Sequence, residues 1–157
     1  MTTIHLTTFI AAPVERVFDL SRSIDLHKRS MHKRKEQAVN GVTFGLISEG
    51  ESVTWKAKHF FAMRVLKVEV TQMKRPVSFT DESVSGDLRN MKHEHHFKII
   101  ENGTLMIDIF RYELGGIFGK LINRFYLHKY MQHLLEERNE MIREYAESDK
   151  WKFFLQK

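Results

Sequence analysis

The sequence predicts an α+β domain in which a strongly curved antiparallel β-sheet of about six or seven strands wraps around one long C-terminal helix. Three observations predict this fold class: an alternating first segment followed by two short helical ones, a central series of alternating segments joined by short turns, and a helical period near the end of the chain. The chain has 157 residues and only two prolines. We therefore expect a single domain over residues 1–157, with its core in residues 3–147.

The chain begins with a strand, because Ile4, Leu6 and Ile10 lie on alternating positions of TIHLTTFI. A short helix follows, since Pro13 suits the first position of a helix. Ser23 can then cap a second short helix over IDLHKRSM.

The middle of the chain predicts an antiparallel meander. Its successive strand segments are SVTWKAKHFF, RVLKVEV, VSFTDESV, MKHEHHFKII and TLMIDIFRY. Asn102-Gly103, between the last two segments, is a strong hairpin signal. The first strand must then join the same sheet, and the final helix must cover the apolar face of that sheet.

From about residue 118 to residue 145 the apolar period becomes helical, and a helix of that length spans about 40 Å. Its apolar stripe consists of Phe118, Leu121, Ile122, Phe125, Leu134, Leu135, Met141, Ile142 and Tyr145. Such a helix can lie along the whole sheet, and a strongly curved sheet that grips one helix tends to leave a space between them.

The composition excludes several kinds of site. The chain contains no cysteine, so disulfides, thiolate catalysis and zinc–cysteine sites are excluded. Neither a signal peptide nor an apolar run of about 20 residues is recognisable, so we expect a cytoplasmic protein without stable membrane insertion. The formal charge of +5 is concentrated in residues 27–37. We interpret this stretch as a solvated segment and expect no nucleic-acid partner, because no nucleic-acid motif accompanies it.

Three histidines lie within NMKHEHHFKII, in a segment that alternates like a strand. Period-two alternation puts His93 and His95 on the face that carries the apolar residues, and His96 on the face that carries the charged ones. We therefore expect His93 and His95 to point toward the long helix and His96 to point toward solvent.

Two carboxylates are expected beside these histidines. A two-residue turn at the Asn-Gly pair would place His95 opposite Phe110, with Asp108 diagonal to His95 at about 7 Å. On the other side, the turn before this strand would bring Asp81 close to His93. Because ionisable groups on an apolar face are unfavourable unless they are paired or hydrated, either the groups pair or the face borders a cavity.

The chain resembles the START and pollen-allergen-like superfamily, also called SRPBCC, whose members have the helix-grip fold. The resemblance rests on IAAPVERVFDLSRSIDLH, GLISEGESVTWKAKHF, FTDESVSGDLRNMKHEHHF, GTLMIDIFRYEL and the closing helix GGIFGKLINRFYLHKYMQHLLEERNEMIREYAE, and it covers residues 3 to about 147. Within the superfamily the chain is most similar to the bacterial polyketide-cyclase-like, ligand-binding branch, sometimes labelled cell-division-inhibitor-like. The resemblance implies a cavity for an apolar or amphipathic small molecule, but no single reaction.

From the predicted faces and the resemblance we expect the chain to bind an apolar small molecule between sheet and helix. The predicted ligand-binding residues are Trp55, His59, Phe79, Asp81, His93, His95, Asp108, Phe110 and Phe125.

Other interpretations stay open. His95, Asp108 and His93 are candidate catalytic residues, since a histidine oriented by aspartate can act as acid or base in cyclase or dehydratase chemistry. Alternatively, the same histidine–aspartate pairs could have a purely structural role and stabilise the sheet. His-x-His with nearby carboxylates could bind a metal, but the pattern is weak, and we expect no metal or other cofactor. A protein-interaction or regulatory module is a further alternative.

The segment 148–157 is too apolar for a free tail. Its large apolar residues are Trp151, Phe153, Phe154 and Leu155. We expect them to pack on the domain, and a homodimer or membrane contact through this aromatic and basic tail is the alternative.

Overall fold

The structure, a computed structural model, describes residues 1–114 and 124–156. Its seven strands form one curved antiparallel sheet in the order β1-β7-β6-β5-β4-β3-β2. The strands are β1 (Thr2–Ile10), β2 (Gln37–Gly41), β3 (Ser52–His59), β4 (Ala62–Lys74), β5 (Ser78–Gly86), β6 (Leu88–Ile100) and β7 (Gly103–Leu114). The meander and the position of the first strand are confirmed, whereas the short edge strand β2 was not predicted.

Two short helices follow β1, and one long helix covers the sheet, as predicted. The helical segments are α1 (Val14–Ser21), α2 (Ile24–Ser30), a 3-10 turn (His32–Arg34), α3 (Arg124–Ala146), a second 3-10 turn (Asp149–Trp151) and α4 (Lys152–Leu155). The side chain of Ser23 caps α2 by accepting a hydrogen bond from the Leu26 amide at 3.2 Å. Pro13 lies one position earlier than predicted, at the N-cap of α1.

The hairpin between β6 and β7 turns at Glu101 and Asn102, one residue earlier than predicted. Ile100 pairs with Gly103, and Asn102 has a φ of 63°, a left-handed conformation that asparagine tolerates better than most residues. The predicted register is therefore wrong by two positions. The faces of the strands are unchanged, because side chains repeat every second residue along a strand.

Helix α3 covers the inner face of the sheet with several residues of its predicted apolar stripe. The buried members are Leu134, Leu135, Ile142 and Tyr145. Ile142 and Tyr145 belong to an apolar cluster around Phe18 of α1, and Leu135 belongs to one around Trp55 of β3. The predicted stripe residues Phe118, Leu121 and Ile122 lie outside the described residues.

The C-terminal tail packs on the domain, as expected. Trp151, Phe154 and Leu155 contact the cluster around α1, and the guanidinium of Arg16 lies 4.4 Å above the ring of Trp151. Phe153 is 81% exposed. Of the helices in the described ranges, none is both long and apolar enough to span a membrane.

Candidate functional site

A cavity of about 250 Å³ lies between the sheet and helix α3. Side chains from α2, from strands β3 to β7 and from α3 line it, and most of them are apolar. Seven of the predicted ligand-binding residues are on its wall: Trp55, His59, Phe79, Asp81, His93, His95 and Phe110.

The other two predicted ligand-binding residues do not line the cavity. Asp108 is fully buried and lies behind the two histidines, which stand between its carboxylate and the cavity. Phe125 is 80% exposed. Since successive residues turn by about 100° around a helix, Phe125 lies nearly opposite Leu127, whose buried side chain marks the inner face of α3.

Two histidines and one aspartate of the cavity wall form a polar network with the buried Asp108 behind them. Nε2 of His93 lies 2.9 Å from Oδ1 of Asp108, and Nε2 of His95 lies 2.8 Å from Oδ1 of Asp81. The strand pairing sets Asp81 opposite His93 and Asp108 opposite His95, so each bond runs diagonally across the sheet. Nδ1 of His95 is also 2.9 Å from Oδ1 of Asp108, but without the alignment of a hydrogen bond.

Two polar residues of α3, which the sequence analysis missed, complete this network. Nδ2 of Asn139 donates to Oδ2 of Asp108 at 2.7 Å. Nη1 of Arg138 lies 3.5 Å from Oδ1 of the same carboxylate, and its Nη2 donates to the carbonyl oxygen of Ser21 at 3.0 Å. Asp108 is therefore the centre that joins the sheet to the long helix.

A sequence signal for Arg138 was present. Arg138 lies four residues after Leu134 and four before Ile142, within the apolar stripe of α3. A charged residue at such a position must face the interior, where it requires a partner of opposite charge.

The electrostatics of the network fix the charge of both carboxylates. Burial by itself would raise the pKa of Asp108, but its interactions with His93 and then His95 outweigh burial and hold that pKa well below its usual value. Burial likewise opposes ionisation of Asp81, whose pKa is nevertheless lowered by its hydrogen bond to His95. Both carboxylates are therefore ionised at neutral pH.

His93 is neutral at neutral pH. Burial is the largest effect on its imidazole, and together with the nearby His95 it lowers the pKa of His93 to about 4, although the hydrogen bond to Asp108 acts in the opposite direction. Since an ionised carboxylate only accepts hydrogen bonds, Nε2 of His93 carries the proton and donates it to Asp108.

A second polar group lies elsewhere on the cavity wall. Nδ1 of His59 is 2.7 Å from the hydroxyl of Tyr130, and burial lowers the pKa of His59 against an opposing effect of Glu36. His27 stacks on Trp55 with ring centroids 4.3 Å apart and lies 3.2 Å from Glu36.

Asp81, His93 and His95 are the residues best placed to hold a metal within the described ranges. Each offers one ligand atom, and these atoms lie within 4.8 Å of one another. The arrangement has the donor types that zinc accepts, but the hydrogen bond between Asp81 and His95 already occupies two of the donors.

The comparisons with known proteins agree on the fold. No family model matches the chain, and no curated protein sequence does either. The crystal structure of TTHA0849 from Thermus thermophilus superimposes with a TM-score of 0.70 at 22% identity, covering 90% of this chain and 97% of that one. Ara h 8.0201 gives a TM-score of 0.69 at 10% identity, covering 92% of this chain and 97% of that one.

A third solved structure, the ginseng major latex-like protein 151 from Panax ginseng, has a TM-score of 0.66 at 14% identity, covering 92% of this chain and 97% of that one. The chain has the helix-grip fold. At these identities the likeness establishes the helix-grip fold and leaves the function to be argued from the site.

Proposed function

We propose that this helix-grip protein binds an apolar or amphipathic small molecule in the cavity between the sheet and α3. The observation that carries the proposal is a cavity of about 250 Å³ whose mostly apolar wall includes a few convergent polar side chains. Ligand sites in proteins have this composition, because apolar walls supply contact area and a few polar groups orient the ligand.

The size of the cavity supports this proposal. Protein interiors are packed like organic crystals and contain few spaces larger than a water molecule. A space of about 250 Å³ corresponds to several water molecules at about 30 Å³ each. Since most of its wall cannot hydrogen-bond to water, an apolar molecule is the better occupant.

The finer predictions also belong to this proposal. The quoted sequence segments support membership of the polyketide-cyclase-like branch. A cytoplasmic location remains part of the proposal, and a homodimer through the tail would use the exposed ring of Phe153. The alternative of acid-base catalysis has less support, because burial lowers the pKa of His93 to about 4, which makes its free Nδ1 a weak base at neutral pH.

The proposal can be tested by native mass spectrometry and by fluorescence of Trp55, which lines the cavity. A Trp151→Phe background leaves Trp55 as the single tryptophan. We expect the purified protein to carry an organic ligand or to bind a ten-carbon probe such as 1-decanol, with a change in Trp55 emission.

A matched pair of variants supplies the control. Ala57 is buried and lines the cavity, whereas Lys58 is exposed on the opposite face of β3. Ala57→Leu should fill part of the cavity and weaken probe binding, while Lys58→Leu should leave it unchanged. Equal binding by both variants would contradict the proposal, and so would a protein that binds neither an organic ligand nor a probe.

A further inference from the structure

Two hydrogen-bond acceptors on the cavity wall, one on Asp81 and one on His93, meet no donor among the described residues. Oδ1 of Asp81 accepts from His95, but no donor in the described ranges meets Oδ2 of that carboxylate. The side chain of Asp81 is 22% exposed and lies on the cavity wall. Oδ2 is therefore open to a ligand.

His93 supplies the second acceptor. Its Nε2–H is donated to Asp108, so Nδ1 of the neutral ring carries a lone pair. No described residue donates to this nitrogen, and His93 lines the cavity beside its cross-strand partner Asp81. Side chains of such partners lie about 5 Å apart, so one ligand group can reach both acceptors.

The donors of the network have partners within the protein. His95 gives its Nε2–H to Asp81. Arg138 donates one N–H to Ser21 and one to Asn139, and its charge faces Asp108. A ligand carboxylate would therefore compete with Asp108 for the charge of Arg138, and it would approach the ionised Asp81.

The residues around these acceptors are apolar. Val70 of β4, Phe79 of β5 and Leu134 of α3 line the same cavity, and all three are buried. The wall therefore combines an apolar surface with two atoms, Oδ2 of Asp81 and Nδ1 of His93, that can only accept hydrogen bonds.

We propose that the ligand, if the proposed function holds, is an apolar molecule with a hydrogen-bond donor, a hydroxyl or a protonated amine, directed at Oδ2 of Asp81 and Nδ1 of His93. A molecule whose polar end is a carboxylate is disfavoured. A protonated amine can donate to both open acceptors at once, whereas a hydroxyl, with a single O–H, donates to one of them; either group leaves the internal bonds of Arg138 and His95 intact.

Three probes with the same ten-carbon chain separate the alternatives: 1-decanol, decylammonium and decanoate. Their affinities are measured at neutral pH by Trp55 fluorescence in the Trp151→Phe background. We expect 1-decanol or decylammonium to bind at least about tenfold more tightly than decanoate, since one hydrogen bond to a charged group is worth this factor or more. If 1-decanol binds more tightly than decylammonium, the donor of the ligand is a hydroxyl; if decylammonium binds more tightly, the donor is a protonated amine.

Asp81→Asn removes the negative charge of this side chain but keeps its shape and the oxygen that accepts a hydrogen bond from His95. We expect this variant to bind decylammonium at least about tenfold more weakly and to lose most of its discrimination against decanoate. The matched control is Glu82→Gln, which removes a charge from the adjacent position of β5, where Glu82 faces Lys92 at 4.0 Å. Glu82→Gln should keep the ranking of the probes.

Three outcomes would overturn the donor assignment and leave the proposed function standing. The first two are decanoate as the tightest probe and an unchanged ranking in folded Asp81→Asn. If that variant does not fold, the ranking in the Trp151→Phe protein decides alone. The third is stoichiometric binding of Zn²⁺ that Asp81→Asn abolishes, because the metal would occupy both acceptors. Failure of all three probes to bind to a protein that also carries no organic ligand would overturn the proposed function itself.

Discussion

Acidification should destabilise the protein through His93. Burial lowers the pKa of this imidazole from 6.5 to about 4. At about 1.36 kcal/mol for each unit of pKa, this difference corresponds to about 3 kcal/mol of folding free energy. The value is a large fraction of the stability of an ordinary domain.

The sign follows from proton binding. As the pH falls below 6.5, the unfolded chain binds a proton at His93, whereas the folded protein does not until the pH approaches 4. The stabilisation is therefore complete above pH 6.5 and is lost progressively down to about pH 4. His59, whose pKa burial also lowers, acts in the same direction. The stabilisation from Asp81 and Asp108, whose pKa values are lowered from 3.8, is lost only at more acidic pH.

The measurement is the free energy of unfolding in urea at about pH 7 and about pH 4.5, for the wild-type protein, His93→Gln and His96→Gln. Glutamine cannot be protonated but can still donate to Asp108, so His93→Gln should lose about 2 kcal/mol less than the wild type on acidification. His96 lies on the outer face of the same strand, and its variant should behave like the wild type. An equal loss in His93→Gln and the wild type would refute the reasoning.

Three further substitutions, one of them a control, test the packing. Asp108→Ala should lower the free energy of unfolding by about 3–5 kcal/mol, because it leaves the buried charge of Arg138 without its carboxylate; a loss below about 1 kcal/mol in urea would contradict the central role of Asp108. Trp151→Ala should cost about 2 kcal/mol through lost packing and the contact with Arg16. Phe153→Ala, at an exposed ring, should change thermal stability by less than about 0.5 kcal/mol, and equal effects of the two tail variants would show that the tail does not pack as described.

The inward direction of the histidines could be predicted from the sequence because it depends only on a local period. Alternation along β6 places His93 and His95 inside and His96 outside, and this result survives the two-residue error in the register. Asp81 could be placed for the same reason, since it pairs with His93 as expected.

The partners within the site could not be predicted in the same way. The predicted turn was one residue too late, and the true turn sets Asp108, rather than Phe110, opposite His95. Whether a side chain lines a cavity also depends on what covers it, as the buried Asp108 and the exposed Phe125 demonstrate. These are properties of packed neighbours, which the spacing of residues along one strand or helix does not contain.

The sequence by itself determined the order of strands and helices, the long covering helix and the inward face of the imidazoles, because each follows from hydrophobic periodicity and turn residues along the chain. Only the tertiary structure decided which carboxylate meets which imidazole, that Arg138 and Asn139 join them, and that two acceptors stay open in a cavity. Those features arise where segments distant in sequence meet, and their geometry is set by register and helix placement rather than by local preference.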